Sequence, residues 1–372
     1  MELFSNAQWV IIDAIIFMIM IIPFLFSIKY RNSRGLYLQV PKTHGIIPLY
    51  WILILIFCIY DKCGGDYFHY QEQVHNLYIY TGLGTGLEPV YVWLVSHIGY
   101  SYFVFRLVVW GSALLCLRLL LRYLKFTDME AVWIFLLVLL VNFSYARVSL
   151  ALAIFFNGYI RFCDPKKGRD KLLGIILLLA SCFFHKTMII LLMLSCFSWV
   201  KLNKYLIGFL LVLFPMIVFV MNRYVGDLVL MLEAGSASAH YLNQDAQAQG
   251  MAAKLQDFLR FAPIVVFLFL LAKEYFNEEQ RDKLPEYIKR LFVLVLVILY
   301  ASTALSFLNV GSSAISYRIR NMCLLPMTII LIYHIKNRPL TRLTTGCYLT
   351  LFLSNIYYFM YMYYLKQLGL GV

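Results

Sequence analysis

The stretch that decides the fold runs from Asn142 to Leu192: NFSYARVSLALAIFFNGYIRFCDPKKGRDKLLGIILLLASCFFHKTMIILL. Arg147–Phe162 reads as an apolar helix that crosses most of a bilayer. It runs into a short basic loop carrying Arg161, Lys166, Lys167, Arg169 and Lys171. A second apolar run, Leu172–Phe184, returns to a turn at His185 and Lys186, and a third, Thr187–Val200, starts there. Basic residues gathered in alternate connections mark the cytoplasmic loops of a polytopic membrane protein. Arg147 lies at the other end of its run, where a cation has no topogenic task and costs about 2.5–3.5 kcal/mol if it reaches the hydrocarbon centre. A compensating anion is expected there, and at Arg106, Arg318 and Arg320, which occupy similar positions.

The rest of the chain agrees with this reading. Its 372 residues are 62% hydrophobic with a mean hydropathy of +0.77, more apolar surface than a soluble domain can hide. No polar stretch is long enough for a soluble domain. The net charge of +13 suits cytoplasmic loops against anionic lipid headgroups; no basic segment is long enough to form a nucleic-acid-binding module. The eight cysteines contain no CxxC pair, and those in apolar runs (Cys58, Cys116, Cys182, Cys196, Cys323) read as small hydrophobes. The first apolar run lacks a basic leader and a small-residue cleavage site, so it reads as a retained helix.

The expected fold is all-α: one polytopic transmembrane domain over residues 1–372, with about 12 spanning helices. The spans are Gln8–Ile28, Gly45–Tyr60, Ser101–Leu121, Ala131–Phe143, Arg147–Phe162, Leu172–Phe184, Thr187–Val200, Tyr205–Met221, Phe258–Ala272, Leu291–Val310, Arg320–His334 and Leu343–Tyr364. Pro89–Ile98 reads as a half-helix at the interface, preceded by a polar loop from Asp61 to Glu88. A second long loop covers Asn222–Asp257. Most of the 32 Lys and Arg residues fall in or beside the connections after spans one, three, five, seven, nine and eleven. That bias places both termini outside, with residues 61–100 and 222–257 external. The tyrosine-rich run Tyr357–Tyr364 then forms an aromatic belt at the outer interface.

Four external elements hold polar groups at one membrane depth. The first, GGDYFHYQEQVH, contains Asp66, Tyr67, His69, Glu72 and His75 and leads on to Glu88 and Pro89. The others carry Arg147; His185 with Lys186; and Tyr317, Arg318 and Arg320. Each has a plainer reading: Arg147 snorkels, Asp66 caps the following helix, and Glu88–Pro89 opens one. His69 and His75 are not a helical i,i+4 pair, so no metal is assigned, and no cofactor. GLGTG at Gly82–Gly86 lacks the strand–helix context and the Lys-Ser/Thr of a phosphate loop.

At these residues the chain resembles the EpsG family of bacterial exopolysaccharide proteins, within the wider Wzy-type polymerase group. The likeness rests on the Gly-Asp-Tyr element at Gly65–Tyr67, the E-P-x-Y element at Glu88–Tyr91, the helix start at Arg147–Ala151 and the F-H-K-T junction at Phe184–Thr187. It covers roughly Asp61 to Val200, with an echo at Tyr317–Arg320, and departs at Val148, where a polar Gln is expected. The resemblance implies a glycosyltransferase of the bacterial inner membrane that needs no metal. It would join undecaprenyl-pyrophosphate-linked repeat units into an exopolysaccharide, capsule or O-antigen chain on the external face. Donor and acceptor lipid-linked glycans are the implied partners, with flippase and chain-length regulator proteins as associates. Arg147, Arg318 and Arg320 would hold pyrophosphate, since arginine matches phosphate oxygens. His185, Asp66 and Glu88 are the catalytic candidates for base, with His185 preferred. Tyr67, Tyr91 and Tyr317 are the expected glycan contacts. The rival reading is a flippase for the same lipid-linked glycans, though no internal repeat supports it.

Overall fold

A computed structural model describes residues 47–60, 65–78, 88–126, 146–220, 251–306 and 318–337, the strands at 28–31 and 35–38, and isolated positions near both ends. Among these residues the chain is helical apart from one antiparallel strand pair, β1 (Ile28–Arg31) and β2 (Gly35–Leu38), in which Ile28 faces Leu38 and Arg31 faces Gly35. This corrects the plain cytoplasmic loop expected after the first span. Ile28 belongs to a strand, and alternating Ile, Tyr and Leu beside a short polar connection form a hairpin. The first, fourth and last expected spans lie largely or wholly outside the described residues.

The chain divides into two compact units. The first comprises Met1–Ile79, Glu88–His185 and Leu331–Val372. Its described helices are α1 (Ile47–Tyr60), α2 (Gly65–His75), α3 (Pro89–His97), α4 (Tyr102–Tyr123), α5 (Ala146–Cys163) and α6 (Gly168–Phe184). Helix α5 is the axis of this unit, buried on nearly every side, with α4 and α6 packed along it. Small residues make this close packing possible. At the α5–α6 crossing, a Cβ on Gly158 would lie 2.8 Å from the Gly174 carbonyl oxygen, and one on Gly174 2.8 Å from the Gly158 oxygen. Helix α1 packs on α4, and α3 on α6.

Helix α4 begins where the Ser101 hydroxyl accepts from the Val104 N–H at 3.4 Å. It is about 33 Å long at the usual rise per residue. Lys125, in the left-handed region at φ 59°, ends it; the Phe126 N–H donates back to the Leu121 carbonyl at 2.8 Å. Gly99 and Tyr100 (φ 66° and 59°) make the tight reversal that turns α3 into α4.

Helix α2 corrects the polar loop expected over Asp61–Glu88. Its Tyr70 and Val74, with Leu77 beyond it, are buried, while Glu72 and His75 are exposed. That spacing is helical, but the polar residues between kept the segment below a membrane-span pattern. Helix α2 packs on α4.

The loop end of the α5–α6 hairpin is tied by one carboxylate. Asp170 Oδ2 accepts from the Lys167 and Lys166 backbone N–H groups (2.8 and 3.0 Å) and from the Tyr123 hydroxyl (3.3 Å). Its Oδ1 lies 3.5 Å from the Arg161 guanidinium, which rests 4.3 Å from the Tyr123 ring. Desolvation pushes the Asp170 carboxyl up, but these donors and the Arg161 charge outweigh it and hold the group below its ordinary value. A carboxyl lowered in the folded state adds stability above its unfolded pKa and loses it as pH falls through the folded value. Asp170→Asn should therefore lower the thermal unfolding midpoint at neutral pH. The gap to the parent should narrow as pH drops below about 4, the ordinary aspartate range; a gap that stayed constant with pH would dissociate Asp170 from the effect.

The second unit comprises Tyr80–Leu87 and Lys186–Ile330. It contains α7 (Thr187–Cys196) with a 3-10 turn at Phe197–Trp199, α8 (Lys204–Val220), α9 (Met251–Tyr275), α10 (Glu278–Asp282) and α11 (Glu286–Ser306). Helix α9 starts at Met251, so Met251–Asp257 is helix and the expected loop over Asn222–Asp257 ends earlier. Helix α11 is pinned at both ends: Arg290 donates to the Ser198 carbonyl (3.2 Å), and the Tyr300 hydroxyl to the Leu210 carbonyl (2.9 Å). Helix α12 (Leu324–Asn337) follows.

Three described helices are long and apolar enough to cross a membrane: Tyr102–Tyr123, Ala146–Cys163 and Glu286–Leu305. The chain is thus a helical membrane protein, with three spans among the described residues against the dozen expected.

Candidate functional site

The site grows from the start of α3. Glu88 is its N-cap residue with an extended backbone, and Pro89 is the first helical residue, where a missing N–H does no harm. A glutamate here would ordinarily favour the first-turn amides. Its side chain makes no cap hydrogen bond. The carboxylate reaches instead to Arg147 in the first turn of α5: Arg147 Nη1 donates to Glu88 Oε2 at 2.7 Å. The two side chains are only 12% and 9% exposed. A cation at a helix N-terminus faces the positive end of the helix dipole, so Arg147 needs this neighbour.

Two tyrosines complete the surroundings. The Arg147 Cζ lies 4.3 Å from the Tyr91 ring centre and 4.6 Å from that of Tyr70, and Arg147 shares a side-chain hydrogen bond with Tyr70. Both distances suit cation–π attraction. Tyr91 is set edge-on against Phe105 of α4, ring centres 5.4 Å apart. The Arg147 Nε has no hydrogen-bond partner among the described residues. Beside it a small, water-sized cleft opens between α3, α4, α5 and α6, walled by apolar side chains except at Arg147 and the Tyr91 ring.

The expected anion opposite Arg147 is therefore present in the protein itself. Arg106 has a different partner: its Nε donates to the Cys58 carbonyl at 2.8 Å, and its Nη2 to the same oxygen. That carbonyl is in the last turn of α1, where helices leave acceptors unfilled. Arg106 thus ties α4 to α1 from a buried position.

The other predicted residues fall as follows. Asp66 and Tyr67 are in the first turn of α2, with Asp66 one turn ahead of Tyr70 and on the same helix face. His185 is the C-cap of α6, its N–H donating to the Ser181 carbonyl at 3.2 Å. It adjoins Phe184, which lines the cleft, but is not itself a lining residue. Arg318 and Arg320 belong to the second unit, both half-buried, with the Arg320 guanidinium 5.3 Å from the Phe261 ring centre. Tyr317 lies outside the described residues. Sequence reasoning missed Tyr70. Its signal was the i,i+4 step from Asp66 and the buried partner Val74 one turn on.

The model of the EpsG family matches residues 45–368. No curated protein and no solved structure gives a match.

Proposed function

The chain belongs to the EpsG family, a Wzy-like polymerase family, and from that premise we propose that it polymerises undecaprenyl-pyrophosphate-linked repeat units on the external face of the bacterial inner membrane. The observation that carries the reading is the nearly buried Arg147, held by Glu88, Tyr70 and Tyr91 beside an apolar cleft. In the reaction an acceptor sugar hydroxyl attacks the anomeric carbon of the donor glycan. A glycosidic C–O bond forms, the bond from that carbon to the pyrophosphate oxygen breaks, and lipid pyrophosphate leaves with the bonding electrons. Its growing negative charge needs fixed donors, and a guanidinium supplies them in a planar fork. The hydroxyl proton passes to a base. His185 serves best, because an unperturbed imidazole titrates close to physiological pH. Asp66, one turn from Tyr70, binds the acceptor sugar or takes the base role in its place. Tyr67, beside Asp66 in the first turn of α2, offers a sugar contact.

His185→Gln keeps a polar side chain but cannot take the proton. It should abolish long polymer while single repeat units still reach the cell surface, read as loss of the polymer ladder on a gel with surface-labelled monomer retained. Persisting polymer would move the base role to Asp66. Repeat units trapped inside the cell would instead indicate lipid transport.

A further inference from the structure

The Glu88 carboxylate is the anion that faces Arg147 in this structure. A guanidinium carries five N–H donors in a fork that matches two acceptor oxygens at once. Glu88 Oε2 accepts from Arg147 Nη1 at 2.7 Å, while the neighbouring Nε donor has no acceptor among the described residues. The fork is thus incompletely filled. The aromatic contacts act differently. Tyr70 of α2 and Tyr91 of α3 attract the guanidinium through their ring faces, and Tyr70 is also hydrogen-bonded to it; the ring attraction survives a change of anion. Both rings are buried, and both belong to helices other than the one that carries Arg147. They fix the cation from outside its own backbone. The Glu88 carboxylate, released by its own helix, is tied to no first-turn amide of α3.

We propose that Glu88 is the resting occupant of a phosphate subsite at Arg147, exchanged for the diphosphate of the lipid-linked substrate, and that Tyr70 and Tyr91 are positioning residues that keep the guanidinium in place during the exchange. The assignment of a lipid as the ligand rests on the polymerase reading above. The side chains bordering Arg147 are apolar, among them Val90, Leu94, Leu150 and Phe184, and such a border favours a diphosphate that carries a hydrocarbon chain over free pyrophosphate. The arriving diphosphate displaces the Glu88 carboxylate from Arg147, and Glu88 returns to the guanidinium when the product lipid pyrophosphate leaves.

The test is calorimetric titration of the purified full chain in detergent with farnesyl diphosphate and, separately, inorganic pyrophosphate. Farnesyl diphosphate should bind the parent protein, at least about tenfold more tightly than inorganic pyrophosphate. Glu88→Gln removes the competing charge and should raise affinity for farnesyl diphosphate about tenfold. The same variant should unfold at a lower temperature without ligand. Gain in binding with loss of stability is the signature that a merely structural glutamate would not give. Glu88→Asp keeps the charge but shortens its reach by one methylene; should Glu88→Gln fail to fold, it too must bind more tightly than the parent. Tyr70→Phe retains the ring and most of the affinity, whereas Tyr70→Leu should weaken binding about tenfold. Equal or weaker binding by both Glu88 variants, with the parent binding normally, would overturn the exchange and leave the polymerase reading standing. Absence of binding to the parent would remove both. Equal affinity for the two diphosphates would overturn the lipid as occupant.

Discussion

Arg147→Gln should yield no polymer and an unstable protein, because it removes the phosphate ligand and strands a nearly buried carboxylate. Breaking a buried ion pair from one side typically costs about 3–5 kcal/mol. Lost activity alone would therefore not separate chemistry from folding. The double variant Arg147→Gln/Glu88→Gln does so. Two neutral amides can face each other across the 2.7 Å gap now bridged by charge, and stability should recover to within about 1–2 kcal/mol of the parent. Polymer should still be absent, because the Arg147 guanidinium that receives the leaving pyrophosphate is gone. Arg147→Lys keeps the charge but loses the planar fork and its fit to the Tyr70 and Tyr91 rings; transfer should fall by about 10²-fold. Thermal unfolding in detergent and polymer length on gels are the two readouts. Normal-length polymer from the stable double variant would take Arg147 out of the mechanism.

The second large effect lies in the packing. Gly158→Ala adds a Cβ that would lie 2.8 Å from the Gly174 oxygen and 2.9 Å from both Leu177 Cβ and Leu178 N. Two of those neighbours are backbone, so the helices themselves must part. A loss of about 1–3 kcal/mol is expected for Ala, and more for Leu. Gly174→Ala meets the Phe162 N and the Gly158 oxygen, each at 2.8 Å, and should behave alike. The two should add less than fully, since either one already separates α5 from α6. Gly111→Ala in α4 is the control: nothing lies within 4 Å of its added Cβ, and stability should hold or rise by about 0.5–1 kcal/mol. Equal midpoints for all three variants in thermal unfolding would refute the close crossing.

Much of this was legible in the chain. Ser101, Pro89 and the basic loop after Arg161 placed helix ends within a few residues, because capping and turn chemistry act locally. Arg147, Glu88 and Tyr91 were all named, but in separate roles. Their meeting depends on two segments 59 residues apart in sequence, and no periodicity reports such a distance. Tyr70 was invisible for the same reason, with the added difficulty that α2 looks polar when read without its partner. Arg106 shows another limit. A carbonyl at the end of α1 answers its charge, and backbone acceptors leave no trace in residue types. The hairpin at Ile28–Leu38 was lost because a charge count sees Lys29, Arg31 and Arg34 and is blind to the alternation between them.

Backbone touching backbone at Gly158 and Gly174 has a mechanical consequence. Helices α5 and α6 cannot slide or twist independently; they form a single stiff strut, about 27 Å from end to end. One tip bears Arg147, and the other is bolted to α4 through Asp170 and Tyr123. A guest arriving at Arg147 meets an unyielding floor, so room for it has to come from α2 and α3, which are far more lightly packed, α2 on α4 and α3 on α6.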